Sequence, residues 1–143
     1  MINIVTSYFY QIRNFTPNII PVSTCLSDPI WYRPPEDREY YIDKRGIING
    51  LRYTPIIVQG GGACPCIERD PSHCPAAAPY REALAAVDFD KMTRAFEYCL
   101  NKFNADTIAL MVYEAPTNPC SERGALQELF RQHGYECKEW NND

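Results

Sequence analysis

The stretch Thr107-Ile-Ala-Leu-Met-Val-Tyr113-Glu-Ala-Pro-Thr-Asn-Pro-Cys120-Ser-Glu-Arg123-Gly-Ala-Leu-Gln-Glu-Leu-Phe130 decides the fold. Residues 108–112 are a near-continuous apolar run, the pattern of a strand covered on both faces. Leu126, Leu129 and Phe130 then recur at helical spacing. His133-Gly134 closes that helix, with the glycine just past its end. Strand, loop and helix in this order point to an α/β sheet.

Working outward, Asp88 is placed to start a helix with Met92, Phe96, Cys99, Leu100 and Phe103 on one face. Residues 2–5, 19–25 and 135–140 read as strands. Pro21 has no N–H to give a ladder, so it is expected at its strand's start or edge. Ser7 is expected to cap a short helix carrying Tyr8, Tyr10 and Ile12. Residues 28–62 are rich in proline and aromatic side chains, with strand character at 53–58. The expected fold is α/β. A mostly parallel, Rossmann-like sheet is flanked by helices in one domain spanning 1–143, and a Pro/Cys-rich irregular insert occupies 59–79.

The chain has 143 residues, 45% hydrophobic and 22% charged, which suits a globular protein with a real core. Its net charge of −4 and pI near 5.2 exclude a general nucleic-acid binder, which carries a basic excess. No apolar run approaches the roughly 20 residues of a membrane helix. The opening Met-Ile-Asn-Ile-Val-Thr-Ser lacks the basic start and cleavage site of a signal peptide, so a cytoplasmic location is expected. Seven cysteines, an odd number, argue against a disulfide scaffold.

Two groups of residues resemble the "domain of unknown function 488" family. The first is Thr6-Ser-Tyr-Phe, Ile20-Pro-Val-Ser and Pro29-Ile-Trp31-Tyr32. The second is Ala109-Leu-Met-Val-Tyr-Glu-Ala-Pro, Cys120-Ser-Glu-Arg123 and the ending Gly134-Tyr-Glu-Cys-Lys-Glu-Trp140. Members of that family carry a strand ending in Cys-Tyr-Glu-Lys, then Cys-His-Arg opening a helix. Here Val112 replaces the strand cysteine, and an extra residue separates Cys120 from Arg123, so no histidine role carries over. The cysteine-rich insert resembles a phage-like and gut-bacterial subgroup. The resemblance implies the fold and leaves the activity open.

The residues themselves suggest where chemistry would sit. Open α/β sheets bind ligands at the C-terminal ends of their strands. Cys120 and Arg123 at a helix start would meet unpaired N–H groups and a positive dipole end, which favour anions and thiolates. Ser7, Tyr8, Arg13, Arg123 and Glu114 at this edge would suit a small anionic ligand, phosphorylated or nucleotide-derived, with Trp31 and Tyr32 offering a stacking face. A sensor or a phage-type sponge would fit that reading. In the enzyme alternative, Cys120 is the nucleophile, Arg123 stabilises its thiolate and Glu114 moves protons. A third reading makes the Pro/Tyr-rich surface of residues 28–53 a protein-interaction face. The plainer reading of Arg123 pairs it with Glu114 or Glu122.

The insert contains Cys64, Cys66, His73 and Cys74. Cysteine and histidine are zinc ligands, and an ion would fix a loop with four prolines and few large apolar residues. One structural zinc is expected on Cys64, Cys66 and Cys74, with His73 as fourth ligand and Cys25 as a remote alternative.

Overall fold

The computed structural model describes residues 2–58, 77–113, 116 and 122–142. Its strands are β1 (Asn3–Tyr8), β2 (Ile19–Ser23), β3 (Tyr41–Ile42), β4 (Ile48–Asn49), β5 (Thr107–Val112) and β6 (Lys138–Glu139). Its α-helices are α1 (Ala78–Ala85), α2 (Phe89–Phe103) and α3 (Glu122–Gln132). Four strands form one sheet in the order β2-β5-β1-β6, and every pairing is parallel. The fold is α/β, as the alternation of apolar strands and amphipathic helices dictates. β3 and β4 form a separate antiparallel hairpin.

β5 lies inside the sheet between β2 and β1, and all six of its residues are buried. Strand alternation divides the core into two layers. Ile4, Ile20, Ile108, Leu110 and Val112 pack with Met92, Phe96 and Leu100 of α2 and with Leu126 and Phe130 of α3. On the other face, Ala109, Met111 and Ile19 pack with Phe9, Ile12, Phe15, Tyr32 and Ile47. α-Helices thus cover one face, joined by Ile48 and Ile56, while the 3₁₀ turns carrying Phe9, Ile12 and Tyr32, with Ile47, cover the other.

Local chemistry explains the boundaries. Asp88 caps α2, its carboxylate accepting from the Lys91 N–H at 3.0 Å. α2 ends at Asn104 in the left-handed conformation. After α3, Gly134 (φ +88°) donates to the Arg131 carbonyl and Tyr135 donates to that of Phe130, while the Phe130 and Tyr135 rings meet edge to face. This is a Schellman closure with its apolar contact. β2 is an edge strand. The Pro21 carbonyl accepts from Tyr32 Oη, which lies outside the sheet, so the missing N–H falls on the unpaired side.

Several expectations change, and β2 ends at Ser23 rather than at Cys25. β1 runs on to Tyr8, because Ser7 and Tyr8 pair with Met111 and Val112. Ser7 is therefore a strand residue. The following 3₁₀ helix, Phe9–Asn14, starts after Tyr8 without a side-chain cap. Residues 53–58 hold a 3₁₀ turn, Thr54–Ile56, since Pro55 favours the start of a helical turn. α1 begins at Ala78 with Pro79 in its first turn, so helix occupies the last residues assigned to the insert. The last strand pairs only at Lys138 and Glu139. Among the described residues, no helix is long and apolar enough to cross a membrane.

Candidate functional site

At the C-terminal end of β1 the chain turns from Tyr8 into the 3₁₀ helix, and two arginines meet two tyrosines there. The Tyr8 and Tyr10 rings stack, with centroids 6.3 Å apart and planes 12° apart. The Arg123 guanidinium carbon lies 5.8 Å from the Tyr8 centroid, and that of Arg13 lies 4.0 Å from the Tyr10 centroid. Contacts therefore run Arg123–Tyr8–Tyr10–Arg13 across the sheet edge. Each cation faces the negative face of a ring.

The two ends of this ladder differ in environment. The Arg123 side chain is 4% exposed, and its Nε donates to Glu139 Oε1 at 2.7 Å. The same oxygen accepts from Thr6 Oγ1, which in turn accepts from Gln127 Nε2 at 2.7 Å. This network ties α3, β1 and β6 together. Burial pushes the Glu139 carboxyl above its usual range, with Arg123 and the Thr6 hydroxyl opposing that shift. Arg13, by contrast, is exposed, and its side chain is held by Tyr10. Arg13 is thus a cation that this edge presents to solvent.

Beside Arg13 opens a cleft of about 560 Å³, within the size range of small-molecule sites. Buried Phe9 makes edge-on contacts with Trp31, Tyr32 and Tyr113. Trp31 and Tyr113 also line the cleft, and about half of each is exposed (51% and 53%). Tyr113 follows the last residue of β5, so the cleft adjoins the C-terminal ends of two neighbouring strands.

Trp31 is held by its neighbours in sequence. Buried Asp28 accepts from Ser23 Oγ and pairs with Arg52 Nη1 at 2.6 Å, fixing the start of the turn. Arg33 clamps the Asp28 carbonyl through Nε and Nη2. Tyr32 is fully buried. Its hydroxyl donates toward the carbonyls of Leu51 (2.7 Å) and Pro21 (3.1 Å). Burial, reinforced by the Asp28 carboxylate, pushes that phenol well above its ordinary pKa. The Tyr41 hydroxyl donates to the Trp31 carbonyl. Arg45 serves the cleft differently, binding the Ile12, Arg13 and Phe15 carbonyls at the end of the 3₁₀ helix.

The sequence-derived site residues divide between the two faces. Tyr8 and Arg123 lie on the helix-covered face. Arg13 and Trp31 line the cleft on the other side, joined to Tyr8 through Tyr10. Ser7 points away from Tyr8 by strand alternation. Its hydroxyl is buried, without a hydrogen-bond partner among the described residues. Glu114 and Cys120 lie outside the described residues, as do Cys64, Cys66, His73 and Cys74. Among the described residues, no cluster of three or more histidine, cysteine or acidic side chains could hold a metal. Cys25 is buried, with its Sγ 3.6 Å from the Met111 carbonyl. His133 bonds the Leu129 carbonyl through Nδ1 (3.0 Å) and stacks on Phe89, as a residue complementing a helix C-terminus does.

Sequence reasoning missed Glu139 as the Arg123 partner, because sixteen positions, the rest of α3 and the turn after it, separate them. It also missed Tyr113 and Asn49 as cleft residues. The signal for Tyr113 was its place directly after a buried strand. Asn49, in a two-residue strand, carried none. Comparison with family models, curated proteins and solved structures finds no match to this chain.

Proposed function

We propose that this protein binds a small anionic ligand, phosphorylated or nucleotide-derived, at the C-terminal edge of its parallel sheet. The observation that carries this reading is exposed Arg13, stacked on Tyr10 beside a cleft at the ends of β1 and β5. A guanidinium held on an aromatic ring loses less freedom on forming charge-assisted bonds to an anion. Such a domain would act as a sensor or, by its resemblance to the phage-like subgroup, as a sponge for a signalling nucleotide. A thermal-shift screen with phosphate-bearing small molecules tests this. At least one should raise the melting temperature of the wild type, and Arg13→Ala should weaken its binding about tenfold, the loss of one charge-assisted contact. If no anion shifts the wild type, the proposal fails.

One observation favours a second reading. Pro29, Trp31 and Tyr41, which line the cleft, belong to the Pro/Tyr-rich segment expected to form an interaction face. A protein partner would then occupy the same cleft, and phosphate compounds would leave the melting temperature unchanged.

The insert carries a separate proposal of one structural zinc on Cys64, Cys66 and Cys74, with His73 as fourth ligand. A full set of protein ligands leaves no open position for catalysis. Elemental analysis of purified protein should find one zinc per chain. Metal-free protein that melts as sharply, and at the same temperature, after chelator treatment would refute the site.

A further inference from the structure

Three large aromatic side chains with half or more of their surface in water surround the cleft: Tyr10 (58%), Trp31 and Tyr113. Isolated exposed aromatics are ordinary, but three around one concavity mark a surface that something covers. A small anion held by Arg13 would leave Trp31 and Tyr113 wet. A planar ring stacked on the indole would cover them and gain a π-contact besides. Trp31 is suited to this because it is held from behind. Its ring meets Phe9 edge-on at 85°, its carbonyl accepts from Tyr41, and Asp28 and Tyr32 fix the turn that carries it. A side chain fixed in this way sacrifices little entropy on binding.

The polar groups of the cleft have a matching polarity. Arg13 and Arg45 supply positive charge, while Asp43 and Asn49 carry the oxygen acceptors of the lining, the Asp43 carboxylate already receiving the Arg45 and Ile47 N–H groups and the Asn49 amide. Asn49 is buried, and its amide N–H groups go to Asp43 Oδ2 and the Ile47 carbonyl. Its Oδ1 has no partner among the described residues. Acceptors beside exposed aromatic faces suit a heteroaromatic ring bearing N–H groups better than a hydrocarbon ring.

We infer that the cleft is the ring subsite of the anion site and that the ligand class is a nucleoside phosphate, its base stacked on Trp31 and its phosphate at Arg13. The inference rests on the anion-binding reading above and narrows it from phosphorylated compounds to those carrying a base. Trp31 is the specificity determinant, because a sugar phosphate has nothing to place on it.

The experiment compares ribose 5-phosphate with the four ribonucleoside monophosphates. The chain has two tryptophans, so Trp140→Phe leaves Trp31 as the only indole emitter. At least one nucleotide should quench this fluorescence and bind ten times or more tighter than ribose 5-phosphate. Trp31→Ala should remove that preference, bringing nucleotide affinity down to that of ribose 5-phosphate. Thermal shifts on the unsubstituted protein provide the same comparison should Trp140→Phe perturb folding. Equal affinity for ribose 5-phosphate and all four nucleotides would overturn the ring subsite while the anion site stands. A nucleotide preference that survives Trp31→Ala would also overturn it. If neither class of phosphate binds, the anion-binding reading falls and this inference with it.

Discussion

Tyr32→Ala is expected to destabilise the fold by about 4 kcal/mol, as removal of a large buried ring does, and to lower the melting temperature by roughly 12 °C. Tyr32 has no exposed surface, and its ring packs against Phe9 at 5.1 Å. The substitution leaves a cavity under the cleft and removes the hydroxyl donor from the Pro21 carbonyl and from the Leu51 carbonyl, which keeps the Ser23 N–H. Tyr32→Phe separates the two effects. It keeps the ring and removes only the hydroxyl, so about 1 kcal/mol should be lost. Chemical denaturation of the three proteins measures both values. If Tyr32→Ala stays within 1 kcal/mol of wild type, the packing beneath the cleft is not as described.

Removing Arg123 should have the second largest effect. Its guanidinium is buried against Glu139, whose side chain keeps 24% of its surface in water. Arg123→Ala leaves that carboxylate without its cation and should cost about 2 kcal/mol, discounted from the value for a fully buried pair because of this exposure. Combining Arg123→Met with Glu139→Gln should recover much of the loss, since neither partner is then a stranded charge. The wild type has a related pH dependence. Burial raises the Glu139 pKa in the folded state above its unfolded value, so the native protein binds this proton more tightly. The stability linked to that proton is fully present below the ordinary glutamate pKa and is lost as pH rises through the folded value. Relative to wild type, Glu139→Gln should therefore become progressively more stable from about pH 4.5 upward, the ordinary glutamate value. A difference that is flat with pH, or of opposite slope, would show that Glu139 is not desolvated as its position implies.

Much of the architecture was legible where one local signal sufficed. The apolar run at residues 108–112 read as a strand covered on both faces, and it lies inside the sheet. Asp88 before an amphipathic run marked the start of α2, and Gly134 marked the closure of α3. The β3–β4 hairpin was not legible. Its strands are two residues long, and its turn depends on the Asp43 side chain gathering the Arg45 and Ile47 N–H groups. Strand pairing hid the true end of β1, because helix and strand compete for Thr6-Ser-Tyr-Phe until β5 supplies a ladder. Arg13 and Trp31 were both named as ligand residues from their chemistry, and both line the cleft. The pairing of Arg123 with Glu139 follows from tertiary placement and has no sequence periodicity to announce it.

The central claim is that an anion binds where β1 and β5 end. Titration of ¹⁵N-labelled protein with ribose 5-phosphate, read amide by amide, tests it most directly. The expected result is saturable shifts concentrated from Phe9 to Arg13 and at Tyr113, with the midpoint moved about tenfold higher in Arg13→Ala. Absence of saturable shifts would contradict the claim, as would shifts concentrated at the opposite edge of the sheet, around Asn3, Asn18 and Asp106.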